Sequence, residues 1–339
     1  MKLADAVERV RGRGELSRAE ARSVFASALA EGFDAAQLAE LLRALAARGE
    51  TAAEIAGGAD ALRDSMIPFE HDFEDAIDTC GTGGDGSGSF NLSTAAAVVA
   101  AAAGARVVKH GNRSQSSRCG SADLLEAAGI PLDLPPDRSR RVLDAAGITF
   151  LFAPAHHPAL RHAAPVRRSL GIRTIFNYLG PLANPGRVRR QLLGVPEERR
   201  VGEVALALAE LGHVRALVVH GAGGADELTL AGENLVASVG IATAERFDAA
   251  ALGLPPAPLE RLAGGDAAEN LRLLRLVLAG EPGPLLDATI LNAAAALVVA
   301  GVAADARDGA LRAGEAISGG RAESTMSRWV DGAREARRA

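Results

Sequence analysis

The chain has few residues of the kinds that build disulfide-rich or aromatic-rich proteins. Of its 339 residues two are cysteines, Cys80 and Cys119, and neither lies in a CxxC motif or in a cysteine–histidine cluster with zinc-ligand spacing. A disulfide framework is therefore excluded, and this cysteine usage is typical of a cytoplasmic protein. Aromatic residues make up 3% of the chain while alanine and glycine are abundant, a composition that favours helices packed closely through small side chains.

Long apolar runs are also missing. The longest, residues 288–304, is shorter than the roughly 20 residues that a membrane span needs, and it contains Asn292 and Gly301. We predict a buried, alanine-rich helix there and no membrane partner. The charged N-terminus has no apolar segment and predicts no signal peptide. With 48% hydrophobic and 23% charged residues the composition is that of a globular protein, and the length predicts about two domains.

The first 66 residues are predicted to be helical. Three capping patterns, in which a Ser, Thr or Asp is followed three residues later by Glu or Gln, precede apolar-periodic runs. They are formed by Ser17 with Glu20, Asp34 with Gln37, and Thr51 with Glu54. Three helices are therefore expected over about residues 17–66, followed at Pro68 by a change of architecture.

Beyond residue 70, short apolar runs alternate with helical patterns, which indicates an α/β fold with a mainly parallel central sheet. Strands are predicted at residues 76–78, 105–109, 148–152, 191–195 and 216–220. We predict a small N-terminal helical domain over residues 1–70, joined by a helical segment within about 157–190, and a larger α/β domain over residues 71–339.

A glycine-rich segment, residues 81–88, lies between a predicted strand and a helix that begins near Ser93. Glycines let main-chain N–H groups approach an anion, and the N-terminus of the following helix adds a partial positive charge. The strand-loop-helix context favours a phosphate site over a flexible surface turn. The spacing Gly81-x-Gly83-x-x-Gly86 matches a dinucleotide fingerprint, but residues 86–122 contain no acid to hold a ribose, and no Gly-Lys-Ser/Thr closes a P-loop.

The same acid-free window is basic. Arg106, Lys109, Arg113 and Arg118 give it a local charge of +4 in a chain whose net charge is −5. The net charge disfavours nucleic-acid binding by overall attraction. Loops that follow neighbouring parallel strands meet at one sheet edge, so this segment and the glycine loop are expected to converge on a heavily phosphorylated ligand. A solvated basic turn is the alternative.

These motifs resemble the anthranilate phosphoribosyltransferase family, and the resemblance covers nearly the whole chain. It is carried by residues 81–85 (GTGGD), 91–94 (NLST), 109–114 (KHGNRS), 120–123 (GSAD), 167–177 (RRSLGIRTIFN), 180–185 (GPLANP) and 226–227 (DE). The resemblance implies transfer of the phosphoribosyl group of phosphoribosyl pyrophosphate (PRPP) to anthranilate in tryptophan biosynthesis. It further implies Mg²⁺ dependence and a homodimer formed through the helical domain.

The resemblance also implies the site residues. Asn112 and Arg167 would face anthranilate, and Ser93, Asp226 and Glu227 would hold magnesium. The PRPP pocket would be lined by Gly81, Gly84, Asp85, Ser89, Asn91, Leu92, Ser93, Thr94, Lys109, His110, Gly111, Asn112, Arg113, Ser114, Gln115, Ser116, Ser117 and Ser121.

The residue types suit this chemistry. Leaving-group charge grows as pyrophosphate departs, and loop N–H groups, Lys109 and Mg²⁺ are expected to stabilise it. Lys109 is expected to supply a point charge without contributing to core packing. His110 is a candidate proton acceptor, although a structural role is equally compatible with its position. Adjacent acids such as Asp226 and Glu227 are commonly solvated, and Asn112 has a turn-forming alternative.

Two other functions remain open at this stage. A pyrimidine nucleoside phosphorylase of the same architecture would share the phosphate loop, but the Lys109-His-Gly-Asn-Arg-Ser segment and the Asp226–Glu227 pair match the transferase. A non-catalytic nucleic-acid-binding relative would use the basic window, but the window lacks the stacking aromatics that such binding needs.

Overall fold

The N-terminal part of the chain is a layer of helices. The computed structural model describes residues 1–114, 117–241 and 247–338. The layer begins with α1 (Leu3–Arg11), α2 (Arg18–Leu29), α3 (Ala35–Arg48) and α4 (Ala52–Asp64). The three predicted helices are confirmed, and α1 precedes them without having been predicted, because the side chain at its N-cap, Lys2, makes no capping hydrogen bond.

The predicted caps are present. Ser17 and Thr51 each accept from the main-chain N–H three residues on, and the glutamates there bond back to the cap residue. The Asp34 carboxylate accepts from Gln37 N. These contacts satisfy N–H groups that the first helical turn leaves unpaired, which is why the helix starts are readable from sequence.

In the described residues a six-stranded sheet follows, with the order β3-β2-β1-β4-β5-β6. Its strands are β1 (Ile77–Gly81), β2 (Val107–Gly111), β3 (Ile148–Phe152), β4 (Arg190–Gly194), β5 (Arg215–His220) and β6 (Leu235–Val239). The first five are parallel and correspond to the five predicted strands, while β6 is antiparallel to β5. The sequence did not predict β6, because it is a partly exposed edge strand without a clear alternation of apolar and polar residues.

Helices cover both faces of the sheet. One face packs against α5 (Leu92–Ala102), α6 (Ser121–Ala127), α7 (Pro136–Ala146), α13 (Ala267–Leu278), α14 (Pro284–Ala300), α15 (Ala306–Ser318) and α16 (Arg321–Arg338). The other face packs against the N-terminal layer and α11 (Val201–Glu210). Successive residues of β4 and β5 alternate between the two cores: Leu192 and Leu217 enter the first, and Leu193 and Val218 the second.

The N-terminal layer is completed by a later part of the chain. Three helices, α8 (Ala153–His156), α9 (Leu160–Leu170) and α10 (Phe176–Leu182), follow β3. A further short helix, α12 (Ala249–Leu252), lies later in the chain. Helix α9 contacts α2 and α3, and α10 contacts α4. The Phe25 and Phe176 rings meet edge to face with centroids 5.8 Å apart.

Helix α14 is the alanine-rich helix that the sequence predicts. From residue 291 to residue 300 every side chain is buried, and the helix ends at Ala300, where Gly301 adopts a φ of +76°. Among the described helices, none combines the length and the hydropathy required to cross a bilayer.

Gly57 lies at a close approach of α4 to α2, since a Cβ at this position would be 2.3 Å from the Arg18 carbonyl oxygen. We expect Gly57→Ala to lower the free energy of unfolding by about 1–3 kcal/mol, because the helices must separate. Gly314, within α15, is the matched control: a Cβ there meets nothing within 4 Å. Gly314→Ala should be neutral or stabilise by up to about 1 kcal/mol. Equal effects in urea denaturation would contradict this account of the packing.

Candidate active site

Three chain segments meet at the carboxyl edge of the sheet. The glycine loop (residues 82–91) follows β1, the β2 loop (described at residues 112–114 and 117–120) follows β2, and the acidic segment (residues 221–227) follows β5. Ligands of open parallel sheets bind outside this edge, where the strand order changes direction, and β1 lies between β2 and β4 at such a point. The fold therefore brings the predicted phosphate loop and the predicted acid pair together.

Asp226 joins the acidic segment to the glycine loop. Its Oδ2 accepts a hydrogen bond of 2.6 Å from Gly83 N. The segment passes so close to the strand ends that a Cβ at Gly81 would be 2.1 Å from Asp226 Oδ2, and one at Gly194 would be 1.5 Å from the Asp226 carbonyl oxygen. Glycine at both positions is therefore required by close approach.

Glu227 and Lys109 converge on the start of α5. Glu227 Oε1 accepts from Ser93 N at 2.9 Å, and Lys109 Nζ donates to Ser93 Oγ at 3.4 Å and to the Thr79 carbonyl oxygen. Lys109 is 1% exposed. The expectation that this lysine contributes no core packing is therefore wrong: the amine is held inside the protein, because β2 directs residue 109 toward β1 and α5.

The two adjacent acids are poorly compensated. Burial, and then the charge of Asp85, raises the pKa of Asp226 to about 7. Burial, and then Asp226, raises the pKa of Glu227 well above its usual range. Burial also lowers the pKa of Lys109, an effect that the Asp78 charge opposes. Glu227 Oε2 is buried and has no hydrogen-bond partner, so the cluster's own groups do not balance the ionised forms of the two acids.

The glycine loop is built for main-chain contacts. Gly83, Gly84, Gly86 and Gly88 all have a φ between +63° and +74°, a conformation that side chains disfavour. Such turns point successive N–H groups into a concave surface that suits anions. Asp85 caps the next turn, because its carboxylate accepts from Ser87 N and Ser87 Oγ.

The beginning of α5 contributes differently from residue to residue. Leu92 is buried in the core, so only its main chain is available to a ligand. Thr94 Oγ1 is buried without a hydrogen-bond partner. Asn91 bridges the two loops: its Nδ2 donates to the Cys119 carbonyl oxygen at 3.2 Å, and its Oδ1 accepts from Asn270. Ser89 N donates to the hydroxyl of the Ser87 turn at 3.2 Å.

The β2 loop folds onto the start of α6. Ser121 Oγ donates to the Asn112 carbonyl oxygen at 3.4 Å and would lie 2.4 Å from a Cβ at Gly111. The hydroxyls of Ser114 and Ser117 are 2.6 Å apart. Two further predicted pocket residues, Gln115 and Ser116, lie outside the described residues.

Arg113 is oriented toward α6. Its guanidinium bonds to Asp123 at 2.9 Å and to Glu126 at 2.8 and 2.9 Å. Asp123 and Glu126 lie just beyond the acid-free window of residues 86–122. Their charges offset that of Arg113, so the local charge of +4 counted from the sequence overstates the positive charge of the folded surface. Arg113 remains a predicted pocket residue, but its charge is already paired in this structure.

His110 lies in a low-polarity environment. Its main-chain N–H donates to Asp78 Oδ1 at 3.1 Å, and its ring centroid is 5.1 Å from that of His157. Burial, and then His157, lowers its pKa well below the usual value. The imidazole is therefore neutral near pH 7 and a weak base.

Arg167 on α9 has a guanidinium without an acidic partner among the described residues, and it lies over the Phe176 ring at 5.2 Å. Burial alone lowers its pKa. Neighbouring Arg168 is exposed. Arg167 is thus the less exposed of the two adjacent arginines, and its contact with anthranilate stays a prediction.

Sequence reasoning missed two groups that organise the site. Asp78 accepts from Asn184 Nδ2 at 2.8 Å as well as from His110, and it is fully buried. Arg173, between α9 and α10, contacts the glycine loop at Thr82 and Gly83. Arg173 lies within the quoted segment 167–177, but the contacts of both residues leave no local signal, since their partners lie 32 to 106 positions away in the chain.

Comparison with protein families identifies the class of enzyme to which this chain is similar. The helical bundle domain of the glycosyl transferase family matches residues 4–66, and the a/b domain of the same family matches residues 73–323. Both parts of the fold thus correspond to one class of group-transfer enzyme.

Full-length relatives narrow this class. Anthranilate phosphoribosyltransferase from Chloroflexus aggregans is 49% identical over 97% of this chain and 98% of its own length. The Myxococcus xanthus enzyme of that name is 46% identical over 98% of this chain and 99% of its own. The crystal structure of the Thermus thermophilus enzyme has a TM-score of 0.92 at 45% identity, covering 97% of this chain and 99% of that one. The chain belongs to the anthranilate phosphoribosyltransferase family. Its activity is that of an anthranilate phosphoribosyltransferase in tryptophan biosynthesis.

A solved structure with lower sequence identity to this chain contains bound ligands. The Saccharomyces cerevisiae anthranilate phosphoribosyltransferase, solved in complex with PRPP and Mg, has a TM-score of 0.88 at 25% identity and covers 98% of both chains. The same enzyme has been solved with 4-fluoroanthranilate, with a TM-score of 0.86 at 25% identity over 98% of both chains.

The raised pKa of Asp226 predicts a pH dependence of stability. In the folded protein this carboxyl titrates near 7 instead of 3.8, so between these values the folded state binds more protons and wild-type stability falls as the pH rises. Asp226→Asn keeps an oxygen acceptor for Gly83 but does not titrate. We expect its stability relative to wild type to be greater at about pH 8 than at about pH 5, measured by chemical denaturation in metal-free buffer. A difference that does not change with pH would contradict the assignment.

Proposed function

We propose that the three sheet-edge segments bind PRPP and magnesium and present the C1 carbon of the ribose to the amine of anthranilate. The observation that carries this proposal is their convergence on one cluster. Asp226 bonds to Gly83 of the glycine loop, while Glu227 and Lys109 both bond to Ser93 at the start of α5. Main-chain donors, a cation and a carboxylate pair thus lie at one edge of the sheet.

The acid pair fits Mg²⁺. This ion prefers oxygen ligands and is commonly held by one or two carboxylates together with substrate phosphates. In the described ranges no group of three or more His, Cys, Asp and Glu side chains has the geometry of a metal site, so the remaining ligands would come from Ser93, substrate and water. The unpartnered Glu227 Oε2 and the raised pKa values of Asp226 and Glu227 favour a cation here. When bound, Mg²⁺ would neutralise pyrophosphate oxygens.

The chain's own groups stabilise the departing charge in two ways. The glycine loop, with left-handed Gly84 and Gly86, presents main-chain N–H groups, and the N-terminus of α5 adds a partial positive charge. Lys109 adds a full charge whose position is fixed by Thr79 and Ser93. Because these groups are oriented before the ligand arrives, little reorganisation is needed as charge develops.

For the acceptor anthranilate, correct orientation matters more than general-base catalysis. The aniline nitrogen of anthranilate is neutral near pH 7 and needs no strong base before it attacks. Arg167 is proposed to hold the anthranilate carboxylate and Asn112 to face the ring, so that the amine approaches C1 in a productive orientation. His110, neutral and weakly basic, is proposed to receive the proton released after attack.

The assembly and location are proposals as well. The family resemblance supports a homodimer formed through the helical layer, and two free cysteines support a cytoplasmic protein. Light scattering coupled to size-exclusion chromatography tests the dimer.

The direct test follows anthranilate fluorescence during incubation with PRPP, with and without Mg²⁺. We expect the fluorescence to fall only when PRPP and the metal are both present. Phosphorolysis of thymidine without PRPP-dependent loss of anthranilate would identify a nucleoside phosphorylase instead. Salt-sensitive DNA binding without turnover would identify a nucleic-acid-binding relative.

We expect Asp226→Ala and Glu227→Ala each to lower turnover by at least about 10-fold and to raise the Mg²⁺ concentration needed for half-maximal rate. Each removes one oxygen ligand and leaves the departing pyrophosphate less well neutralised. Initial rates across a Mg²⁺ titration measure both effects. Wild-type rates in both variants at limiting Mg²⁺ would exclude the metal assignment.

We expect Arg167→Ala to weaken apparent anthranilate affinity by about 10- to 150-fold, because a bidentate contact in a partly buried cleft is lost. PRPP parameters should change little, and Arg167→Lys should restore binding poorly because lysine lacks the planar fork. The exposed Arg168→Ala variant is the control. Steady-state kinetics with each substrate varied separately decide the matter: a larger defect at Arg168, or a loss specific to PRPP at Arg167, refutes the assignment.

A further inference from the structure

Arg173 lies in the short connection between α9 and α10, within the segment 167–177 that carries the family resemblance, but it is assigned above to no ligand. Its guanidinium nonetheless reaches the glycine loop: Nη1 donates to the Gly83 carbonyl oxygen, and Nη2 donates to Thr82 Oγ1 at 3.0 Å. Its Nε forms an ion pair with Glu197 Oε1 at 2.6 Å. A Cβ at Gly84 would lie 2.6 Å from Nη1, so the arginine rests directly on the loop backbone.

The contact with the Gly83 carbonyl has a geometric consequence for the next residue. In a trans peptide the C=O and the following N–H point in opposite directions, and the described chain contains no cis peptide. A carbonyl of Gly83 turned toward Arg173 therefore turns the Gly84 N–H away from it. Gly83 is also held at its own N–H, by Asp226. The peptide units on both sides of Gly83 are thus fixed by side chains from two different parts of the fold.

Arg173 is itself held by a chain of polar contacts. Glu197 Oε2 accepts from the Tyr178 hydroxyl at 3.4 Å, and that hydroxyl accepts from Arg200 Nε at 3.3 Å. Arg200 in turn pairs with the Glu50 carboxylate and donates to the Glu50 carbonyl oxygen at 2.9 Å. Burial, and then Glu197, raises the pKa of Tyr178 to about 12, so the phenol remains a donor. These contacts link the connection between α3 and α4 to the glycine loop.

We propose that Arg173 is a positioning residue for PRPP: it orients the peptide between Gly83 and Gly84 so that the loop binds phosphate without first having to be ordered, and Glu197 fixes the guanidinium in that position. This inference rests on the proposed function of the glycine loop. The competing explanation is that Arg173 simply ties the helical layer to the sheet. The two differ in what substitution changes, because loop positioning affects one substrate while a structural tie affects overall stability and both substrates.

The experiment compares Arg173→Ala, Arg173→Lys, Thr82→Val and Glu197→Gln with wild type, and uses the exposed neighbour of Glu197, as Glu198→Gln, for a matched control. We expect Arg173→Ala to raise the KM for PRPP by about 10-fold, which corresponds to roughly 1.4 kcal/mol, with the KM for anthranilate within about twofold of wild type. Arg173→Lys should recover only part of this loss, since one ammonium cannot reproduce the fork.

A double-mutant cycle separates a shared contact from independent effects. Thr82→Val should raise the KM for PRPP by a smaller factor in the wild-type background and add almost nothing to Arg173→Ala. Glu197→Gln should act in the same direction, and Glu198→Gln should match wild type. An unchanged KM for PRPP in Arg173→Ala, additive effects in the cycle, or a parallel rise of both KM values with a lower melting temperature would each overturn the proposal. If Arg173→Ala fails to fold, Thr82→Val and Glu197→Gln decide.

Calorimetric titration of PRPP in the presence of Mg²⁺ keeps this inference distinct from the proposed function. A wild-type protein that binds PRPP without transferring its phosphoribosyl group to anthranilate and releasing pyrophosphate would refute the proposed reaction. The ratio of PRPP dissociation constants between wild type and Arg173→Ala would still test the positioning role, with a ratio near 10 expected and a ratio near 1 refuting it.

Discussion

The hydrogen bond from Gly83 N to the Asp226 carboxylate determines how the site is assembled. It can form only because glycine at 81 and 194 lets the acidic segment lie against the ends of β1 and β4. Once Asp226 is in place, Glu227 reaches Ser93 at the start of α5. This single approach therefore sets the glycine loop, the first turn of a helix and the acid pair in register with one another.

The arrangement has an electrostatic cost that function explains. Burial raises the pKa of both Asp226 and Glu227, and Lys109 compensates them only in part. A fold selected for stability alone would place apolar or hydrogen-bonded neutral groups at such positions. Instead the sheet edge keeps two buried acids, whose ionised forms its own groups do not balance, beside main-chain groups that favour anions; this arrangement suits a ligand that arrives as a metal–polyphosphate pair.

The sequence predicts what depends on neighbouring residues and misses what depends on distant ones. The helix caps at Ser17, Asp34 and Thr51 depend on contacts with residues only three positions away, and the sequence predicts them correctly. The five parallel strands were found because both faces are buried, which gives continuous apolar runs. Edge strand β6, exposed on part of its length, has no such signal.

In the candidate site, too, the sequence predicts local motifs but not contacts between distant residues. Motif resemblance supplied the glycine loop and the acid pair, but not the orientation of the side chains. Lys109 lies inside the protein because of where β2 runs, and Arg113 pairs with Asp123 and Glu126 across a turn. Arg173 reaches Gly83 from 90 residues away. Such pairings become visible only when the chain is folded.

The helical layer is assembled from pieces separated in the chain, and this has a consequence for the order in which the protein forms. Helices α1 to α4 leave the ribosome first, yet α9, α10 and α11, which share their core, follow more than 90 residues later. Until then the leading helices must expose the apolar surface that these later helices cover, and Leu193 and Val218, which enter the same core, are synthesised later than α9 and α10. A nascent chain that stalls before residue 160 therefore leaves the apolar surface of α1 to α4 uncovered, which makes it prone to aggregation during synthesis.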